Sequence, residues 1–199
     1  MKRKRILLDV HEVLLHLARP VLNCLYRLYN IRLHVEEIIN YDMSPHISQN
    51  ALHQIFLDSK MWDECYPIAG AESFLRQLME IRDKHNIGLD IATQISPVGW
   101  KEGIEGTLSN LMTMELLYYD FDSGPSIIIT PDKKRIIKPT DIVIDDCPDN
   151  LNHALSIGAF PVCIKRTWNR PESKPAWNGP RYNYDGSVIA IEKELNSNG

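Results

Sequence analysis

The sequence lacks the features that mark membrane, secreted and zinc-binding proteins. No run of apolar residues approaches the roughly 18 that a membrane-spanning helix needs, so no membrane association is expected. The basic residues 2–5 lead directly into a short hydrophobic strand, not into an apolar signal core of roughly 7–15 residues. The cysteines Cys24, Cys65, Cys147 and Cys163 form no C-x-x-C pair and have no histidine at zinc-ligand spacing. We therefore expect free thiols and a reducing, cytoplasmic location.

An excess of positive charge is also missing. The 199 residues carry a net charge of −4 and an isoelectric point near 6.0, which argues against duplex nucleic acid as a partner. Hydrophobic residues make up 44% of the chain and charged residues 24%, which is the balance of a folded globular protein. A chain of this length accommodates one domain, or a core domain with a small insertion, without a disulfide staple.

Short apolar runs at four places in the chain predict strands that are buried on both faces, as in a parallel sheet. The runs are 6–8, Leu89 with 91–92, 127–129 and 142–144. Between them, apolar residues at helical spacing over 74–81 and 151–155 predict helices, and Gly158 is a plausible stop for the second. Strands that alternate with helices indicate an α/β fold with a Rossmann-like, doubly wound parallel sheet.

The first two predicted strands are too far apart for a single crossover helix. A βαβ unit needs about 30 residues, whereas the first strand ends near Asp9 and the second begins near Ile87. The surplus contains helical patterns at 21–28 and 35–39. It also contains the aromatic residues Tyr26, Tyr29, Tyr41, Phe56 and Trp62, of which we interpret all but Tyr41 as core residues more than as a platform for a base. We predict a core formed by 1–14 and 68–199, and a helical cap, 15–67, that covers the strand ends and selects the substrate.

Chemically capable side chains follow all four predicted strands. They are Asp9, then Thr93, then Thr130 with Lys133, and finally Asp145 with Asp146. Because ligands bind outside the carboxyl ends of the strands in open parallel sheets, we expect these side chains to form one site. Mg²⁺ prefers carboxylate oxygens, and a carboxylate such as Asp9 can attack phosphorus to give an aspartyl phosphate. Lys133 and the Thr93 hydroxyl would then hold the phosphoryl oxygens.

In their order along the chain, these positions resemble the four motifs of the haloacid dehalogenase-like hydrolases. Residues 9–13, Asp-Val-His-Glu-Val, stand where D-x-D-G-T/V is usual. Residues 91–93 stand for the strand that ends in a hydroxyl, Lys133 for the motif lysine, and 144–146 for the acidic fourth motif. The ordered set spans most of the chain and is far more specific than any one of its members.

The resemblance implies a Mg²⁺-dependent phosphatase and a role for each matching residue. Asp9, His11 and Lys133 would be catalytic, and Thr93 and Lys133 would bind phosphate. The metal would be held by Asp9, by His11 through its backbone carbonyl, and by Asp145 and Asp146. Of the last two, Asp145 is expected to be the direct ligand, and Asp146 is expected to act through water or from farther away.

Within that superfamily, the sequence looks most like the 5′(3′)-deoxyribonucleotidases. The similar segments are 62–78 with its Pro67-Ile68-Ala69-Gly70-Ala71, 130–133 (TPDK), 145–149 (DDCPD) and 165–171 (KRTWNRP). This resemblance implies a small-molecule nucleoside monophosphate as substrate, with Trp168 and Arg170 contacting its base or phosphate. Members of that family often form homodimers, although no interface signature is visible in this sequence.

Two residues depart from the family pattern. His11 occupies the position of the usual acid/base aspartate; histidine titrates near neutrality and can replace it, or the change can disable turnover. Glu12 occupies the position of the usual glycine, where a positive φ would strain it. Its carboxylate could substitute for the missing acid, but we expect the side chain to face solvent. Two alternatives to the nucleotidase therefore stay open: a catalytically weakened nucleotide-binding or regulatory protein, and a phosphatase for another small phosphate ester.

Overall fold

The computed structural model describes residues 2–43, 46–114 and 124–197. The remaining residues (1, 44, 45, 115–123, 198 and 199), which belong to the predicted core and cap segments, lie outside the described part of the chain. The strands are β1 (Arg5–Leu8), β2 (Leu15–His16), β3 (Tyr66–Pro67), β4 (Gly88–Gln94), β5 (Ser126–Thr130), β6 (Asp141–Asp145), β7 (Phe160–Ile164) and β8 (Arg181–Tyr182). The α-helices are α1 (Ala18–Tyr29), α2 (Gln49–Phe56), α3 (Ser59–Asp63), α4 (Ala71–His85), α5 (Trp100–Thr113), α6 (Pro148–Ser156) and α7 (Tyr184–Ser197). No helix in these ranges is both long enough and apolar enough to cross a membrane.

Six strands form one sheet in the order β5-β4-β1-β6-β7-β8, with neighbouring strands paired in parallel. β1 lies at its centre, where Ile6 is opposite Leu89 of β4 and Ile142 of β6. Its side chains alternate between the two faces, and helices cover both, so β1 and its neighbour β6 are almost completely buried. The predicted Rossmann-like, doubly wound fold is confirmed.

The four predicted strands are present as β1, β4, β5 and β6, but β7 was not predicted. Its sequence contains Pro161, which cannot donate to a sheet ladder. In the sheet, β8 pairs only with Cys163 and Ile164, so Pro161 lies where β7 has a neighbour on one side alone. A proline is tolerated there, and the simple rule against proline in strands misses this one.

The helix predicted over 35–39 is wrong. Only a 3₁₀ turn, Val35–Glu37, forms there, and Ile38 is already extended at ψ 104°. The Glu37 carboxylate accepts a hydrogen bond from the His34 N–H at 2.6 Å, which closes the turn locally. Ile38 is buried whereas Ile39 is exposed, so the apolar spacing reflects an irregular segment that buries one isoleucine.

A second hydrophobic cluster is separate from the clusters around the sheet. Its members come from the chain between β1 and β3, with one residue from beyond β7: Ala18, Val21, Leu22, Cys24, Leu25, Ile38, Ile47, Ile55, Met61, Trp62, Cys65 and Trp168. Helices α1, α2 and α3 contribute most of it. The segment between the first two large strands thus buries apolar surface of its own, as an inserted cap requires.

Trp62 of α3 joins this cluster to helix α5 of the sheet domain. A Cβ atom on Gly106 would lie 2.4 Å from the Trp62 Cβ, and one on Gly103 would lie 3.1 Å from Trp62 Cζ2. The indole Nε1–H donates to the Phe56 carbonyl at 2.9 Å, and Asn110 of α5 donates to the Trp62 carbonyl at 2.9 Å. Because α5 has glycines at these two positions, the indole packs directly against the helix backbone.

Candidate active site

Asp9 and Lys133 form a buried ion pair at the carboxyl edge of the sheet. Asp9 follows β1, and its N–H still donates to the Ile144 carbonyl of β6 at 2.9 Å. Lys133 begins a 3₁₀ turn, Lys133–Arg135, after β5, and its side chain is 2% exposed. Its Nζ donates to Asp9 Oδ1 and, at 2.9 Å, to Asp145 Oδ2. Burial opposes the ammonium charge, but Asp145 and Asp9 outweigh it and hold the pKa of Lys133 above its ordinary value.

Asp145 is held at both carboxylate oxygens. Oδ1 accepts the Cys147 N–H at 2.8 Å, and Oδ2 accepts the Asn150 side chain at 3.1 Å as well as Lys133. Burial raises the pKa of Asp145 to about 6; Lys133 works against this rise, and the charge of Asp9 adds to it. Asp145 therefore fixes the lysine and also accepts from the N–H just before helix α6.

Asp146 faces the cavity and is oriented by an aromatic side chain. The indole Nε1–H of Trp168 donates to Asp146 Oδ2 at 2.8 Å. Asn169 donates to the backbone carbonyls of Asp146 and Ile164 at 3.0 and 2.7 Å, which ties the segment after β7 to the end of β6. Burial, followed by the charges of Asp9 and Asp145, raises the pKa of Asp146 well above its ordinary value.

Asp9, Asp145 and Asp146 can bring three carboxylate oxygens within 4.8 Å of one another, and all three residues are buried. A cluster of oxygen donors suits a hard cation such as Mg²⁺. Burial, and after it the repulsion among these carboxylates, raises the pKa of Asp145 and Asp146, and Lys133 is the one ammonium group that contacts the cluster among the described residues. The residues present therefore fit a divalent cation by donor type, by spacing and by their uncompensated charge.

His11 lies beside this cluster, with both ring nitrogens near threonine hydroxyls. Nδ1 is 3.2 Å from Thr93 Oγ1, and Nε2 is 3.1 Å from Thr107 Oγ1 of α5. The imidazole also packs against Trp62, with ring centroids 5.7 Å apart. Burial, assisted by the positive charge of Lys133, lowers the pKa of His11 to about 3, so the ring is neutral near pH 7. Thr107 had no sequence signal, because it lies on a helix that was not predicted.

Glu12 does not face solvent, so that expectation is wrong. Its φ is 59°, the left-handed conformation that the family pattern reserves for glycine, and its side chain turns inward to 9% exposure. Oε1 accepts the N–H groups of Leu17 and Ala18 at 2.7 and 2.6 Å, where helix α1 begins. Arg166 approaches Oε2 with its Nε at 3.4 Å. The two N–H donors and the nearby guanidinium group compensate the cost of burying this carboxylate.

Thr93, at the end of β4, is fully buried and its hydroxyl contacts His11, whereas its neighbour Gln94 faces the cavity. The Gln94 side-chain carbonyl accepts the Lys133 N–H at 3.2 Å, which positions the lysine turn. Asn150 also lines the cavity. Neither amide residue was predicted, although each lies close to a predicted site residue: Gln94 follows Thr93, and Asn150 is four residues after Asp146.

A cavity of about 390 Å³ opens above the carboxylates. Its polar floor contains Asp9, Gln94, Ser96, Lys133, Asp146 and Asn150. Its wall, contributed largely by the segment between β1 and β3, includes Leu17, Ala18, Val21, Leu52, Phe56 and Trp62. Of the two residues expected to contact substrate, Trp168 lines the cavity, whereas Arg170 is exposed, is not among the lining residues and has Glu172 at 3.9 Å.

The six-stranded parallel sheet with its flanking helices is similar in fold to solved haloacid dehalogenase-like hydrolases. Three solved structures of this kind illustrate the similarity. A haloacid dehalogenase-like hydrolase from Streptococcus pneumoniae is 12% identical, with a TM-score of 0.64 over 95% of this chain and 98% of that one. A predicted phosphatase from Clostridium acetobutylicum is 14% identical, with a TM-score of 0.61 over 97% and 100%. A hydrolase of the same family from Deinococcus radiodurans, solved with bound phosphate and sodium, is 13% identical, with a TM-score of 0.59 over 98% and 96%.

Comparison of the sequence itself gives no further assignment. No protein-family model matches the chain, and no curated protein matches it significantly. At identities of 12–14% these structural likenesses establish the fold alone.

Proposed function

We propose that the protein is a Mg²⁺-dependent phosphomonoesterase that hydrolyses nucleoside or deoxynucleoside monophosphates through an aspartyl phosphate on Asp9. The observation that carries this proposal is the buried Asp9–Lys133–Asp145 network on the floor of a cavity. An aspartate there is a nucleophile within reach of a bound phosphate, and a lysine beside it offsets the charge of both. The haloacid dehalogenase-like fold supports the same reaction class.

Asp9 has one carboxylate oxygen suited to attack. Lys133 donates to Oδ1, which leaves Oδ2 to form the bond to phosphorus while the ester P–O bond breaks and the leaving oxygen takes a proton from solvent. A water then attacks the same phosphorus and gives up a proton to solvent, the bond between Asp9 and phosphorus breaks, and inorganic phosphate is released. Lys133 stays within reach of the phosphoryl oxygens and stabilises the charge that shifts onto them in both steps.

A Mg²⁺ ion would be held by Asp9, by the His11 backbone carbonyl and by one of the two carboxylates at the end of β6, Asp145 and Asp146. Asp145 is engaged at both oxygens by Lys133, Asn150 and Cys147, whereas Asp146 faces the cavity. We therefore favour Asp146 as the direct ligand, which reverses the expectation from the sequence, and assign Asp145 to positioning Lys133. When bound, the ion reduces the repulsion between phosphate and Asp9 and polarises the phosphoryl oxygens.

The segment 15–67 acts in this proposal as the cap that recognises the leaving group. Its apolar wall and the aromatic rings of Phe56 and Trp62 suit a nucleobase better than a polyhydroxylated sugar. The volume of about 390 Å³ is in the range of small-molecule sites, which are typically about 300–1,000 Å³. Trp168 has a double role, since it lines the cavity and orients Asp146. Arg170 has no contact that this proposal requires.

The test is phosphate release from a panel of nucleoside, deoxynucleoside and sugar monophosphates. We expect release from nucleotides with Mg²⁺, and its loss when EDTA replaces the metal. A sugar phosphate hydrolysed far faster than any nucleotide would keep the reaction class but reject the substrate class. Saturable nucleotide binding without turnover from pH 5 to 9 would instead establish the nucleotide-binding alternative, which the neutral, threonine-bound His11 favours.

His11 gives a separate prediction about leaving groups. Because both ring nitrogens contact threonine hydroxyls, protonation of a departing alcohol has to break one of those contacts. We expect hydrolysis at pH 7 to accelerate strongly as the alcohol becomes more acidic. In His11→Asp, a carboxyl group can serve as acid, and rates for poorly leaving alcohols should rise by roughly 10²-fold or more. His11→Asn is the control, since it restores no acid.

Rates for a series of phosphate esters, plotted against the pKa of the alcohol, measure this effect. A wild-type enzyme that is insensitive to the alcohol, together with a His11→Asn variant that loses about 10²–10⁴-fold, would show that His11 itself is an efficient general acid.

A further inference from the structure

Helix α1, the first helix of the inserted segment, has no cap of its own. Its N-cap residue, Leu17, makes no side-chain capping bond, and its first turn contains no acidic residue. Pro20 in that turn has no N–H to satisfy. The N–H groups of Leu17 and Ala18 donate instead to the Glu12 carboxylate. Glu12 lies outside the helix, in the loop after β1 that also contains Asp9. The carboxylate also places a negative charge at the positive end of the helix dipole.

Glu12 is connected on its other side to the sheet domain. Arg166, which follows β7, brings its Nε to 3.4 Å from Glu12 Oε2, and its backbone N–H donates to the Asn169 side chain at 3.0 Å. Asn169 in turn donates to the Asp146 carbonyl at 3.0 Å. The Glu12 carboxylate therefore contacts both the start of helix α1 and Arg166. Through Arg166 and Asn169 it is also linked to the backbone of Asp146.

The position of α1 bears directly on the cavity. Ala18 and Val21 of this helix form part of its wall, and Glu12 is three residues from Asp9. We infer that Glu12 is a positioning residue that fixes the first turn of α1 relative to Asp9. It thereby determines where the α1 residues of the cavity wall contact the leaving group of the substrate. This inference deepens the proposed function, and its kinetic part rests on that function.

The chain offers variants that separate this role from backbone strain. Glu12→Gly removes the carboxylate but tolerates the φ of 59° without strain, and Glu12→Gln keeps an oxygen that can accept both N–H groups. Glu64→Gln is the control, because Glu64 also lies in the inserted segment but pairs with Arg27 at an exposed site.

Amide hydrogen exchange at Leu17 and Ala18 reads the tether without any substrate. In Glu12→Gly we expect exchange to accelerate about tenfold, comparable to the loss of one helix cap. Glu12→Gln and Glu64→Gln should stay within about threefold of the wild type. Unchanged protection in a folded Glu12→Gly variant would overturn the inference. If that variant does not fold, Arg166→Met replaces it in the experiment. Unchanged amide exchange at Leu17 and Ala18 in Arg166→Met would then also overturn the inference.

Steady-state kinetics then distinguish a displaced cavity wall from a general loss of structure. For a deoxynucleoside monophosphate, Glu12→Gly should raise KM about tenfold, whereas acetyl phosphate, which is too small to reach the wall, should keep its kinetic constants. Glu12→Gln should restore the nucleotide KM. An equal loss on both substrates would overturn the positioning role. No turnover of either substrate by the wild type would defeat the proposed function and leave exchange as the test of the tether.

Discussion

Replacing Asp9 with asparagine should abolish phosphate release, with kcat at least about 10⁴-fold below the wild type, as for the loss of a nucleophile. Asparagine has nearly the same shape, but its amide does not form the bond to phosphorus. Nucleotide affinity should be kept or increased, because the variant removes a negative charge that faces the phosphate. Phosphate release and equilibrium binding, measured on the same preparation, separate the two effects.

The matched control is Asp149→Asn. Asp149 lies in the first turn of α6, with its side chain 55% exposed and its carboxylate 4.0 Å from the Lys134 ammonium group. The substitution therefore removes one negative charge without changing the cavity. It should leave kcat unchanged. If Asp9→Asn retained more than about a tenth of the wild-type rate, the aspartyl phosphate would be excluded and a direct attack by water would replace it.

Replacing Lys133 with methionine should have the second largest effect, and on two properties at once. Methionine fills a similar volume but leaves the buried carboxylates of Asp9 and Asp145 without their shared ammonium group. Breaking a buried pair in this way costs about 3–5 kcal/mol in the free energy of unfolding. The loss of a charge that stabilises the transition state should lower kcat by about 10²–10³-fold.

The pH dependence of this destabilisation has a defined sign. Burial already raises the pKa of Asp145 to about 6 in the presence of Lys133, against about 3.9 for an unfolded aspartate, and removal of the lysine raises it further. Between these values the folded variant binds more protons than the unfolded chain, so its stability increases as the pH falls. In metal-free buffer, the stability deficit of Lys133→Met should therefore be smaller at pH 5 than at pH 8.

Chemical denaturation at the two pH values measures this deficit. Lys134→Met is the control, because the Lys134 side chain is 42% exposed and its removal should be nearly neutral at both. A deficit in Lys133→Met that is independent of pH would show that packing, and not the two carboxylates, accounts for the loss. Added Mg²⁺ should restore part of the stability but not the rate.

The sheet was predictable because buried parallel strands have a direct signature in sequence. Runs such as 142–144 are apolar on both faces, and the polar residue that ends each run lies at the carboxyl edge by topology alone. β7 and β8 were not predictable in this way, because Pro161 and the two-residue length of β8 remove the signal. At 35–39 the sequence has the apolar spacing of a helix, but the backbone forms only a short 3₁₀ turn. In that segment the signal is present without the structure.

The site divides along a similar line. Asp9, Lys133, Asp145 and Asp146 converge as expected because each is anchored next to a strand end. The surroundings of these residues depend on long-range packing that spacing does not encode. Sequence alone gave no means to see that Thr107 would reach His11, or that Glu12 would turn inward to meet a helix start and Arg166.

The contact of Trp62 with two glycines of α5 couples the order of that helix to the position of the inserted segment. Each glycine in a helix interior costs about 0.5–1 kcal/mol relative to alanine, so α5 is a weak helix by itself. At Gly103 and Gly106 the close packing of Trp62, joined by Ile95 at Gly103, offsets part of this cost. Any motion that withdraws Trp62 to admit substrate therefore also loosens α5 and, with it, the Thr107 hydroxyl that contacts His11. Access to the cavity and the order of the His11 imidazole are in this way parts of the same equilibrium.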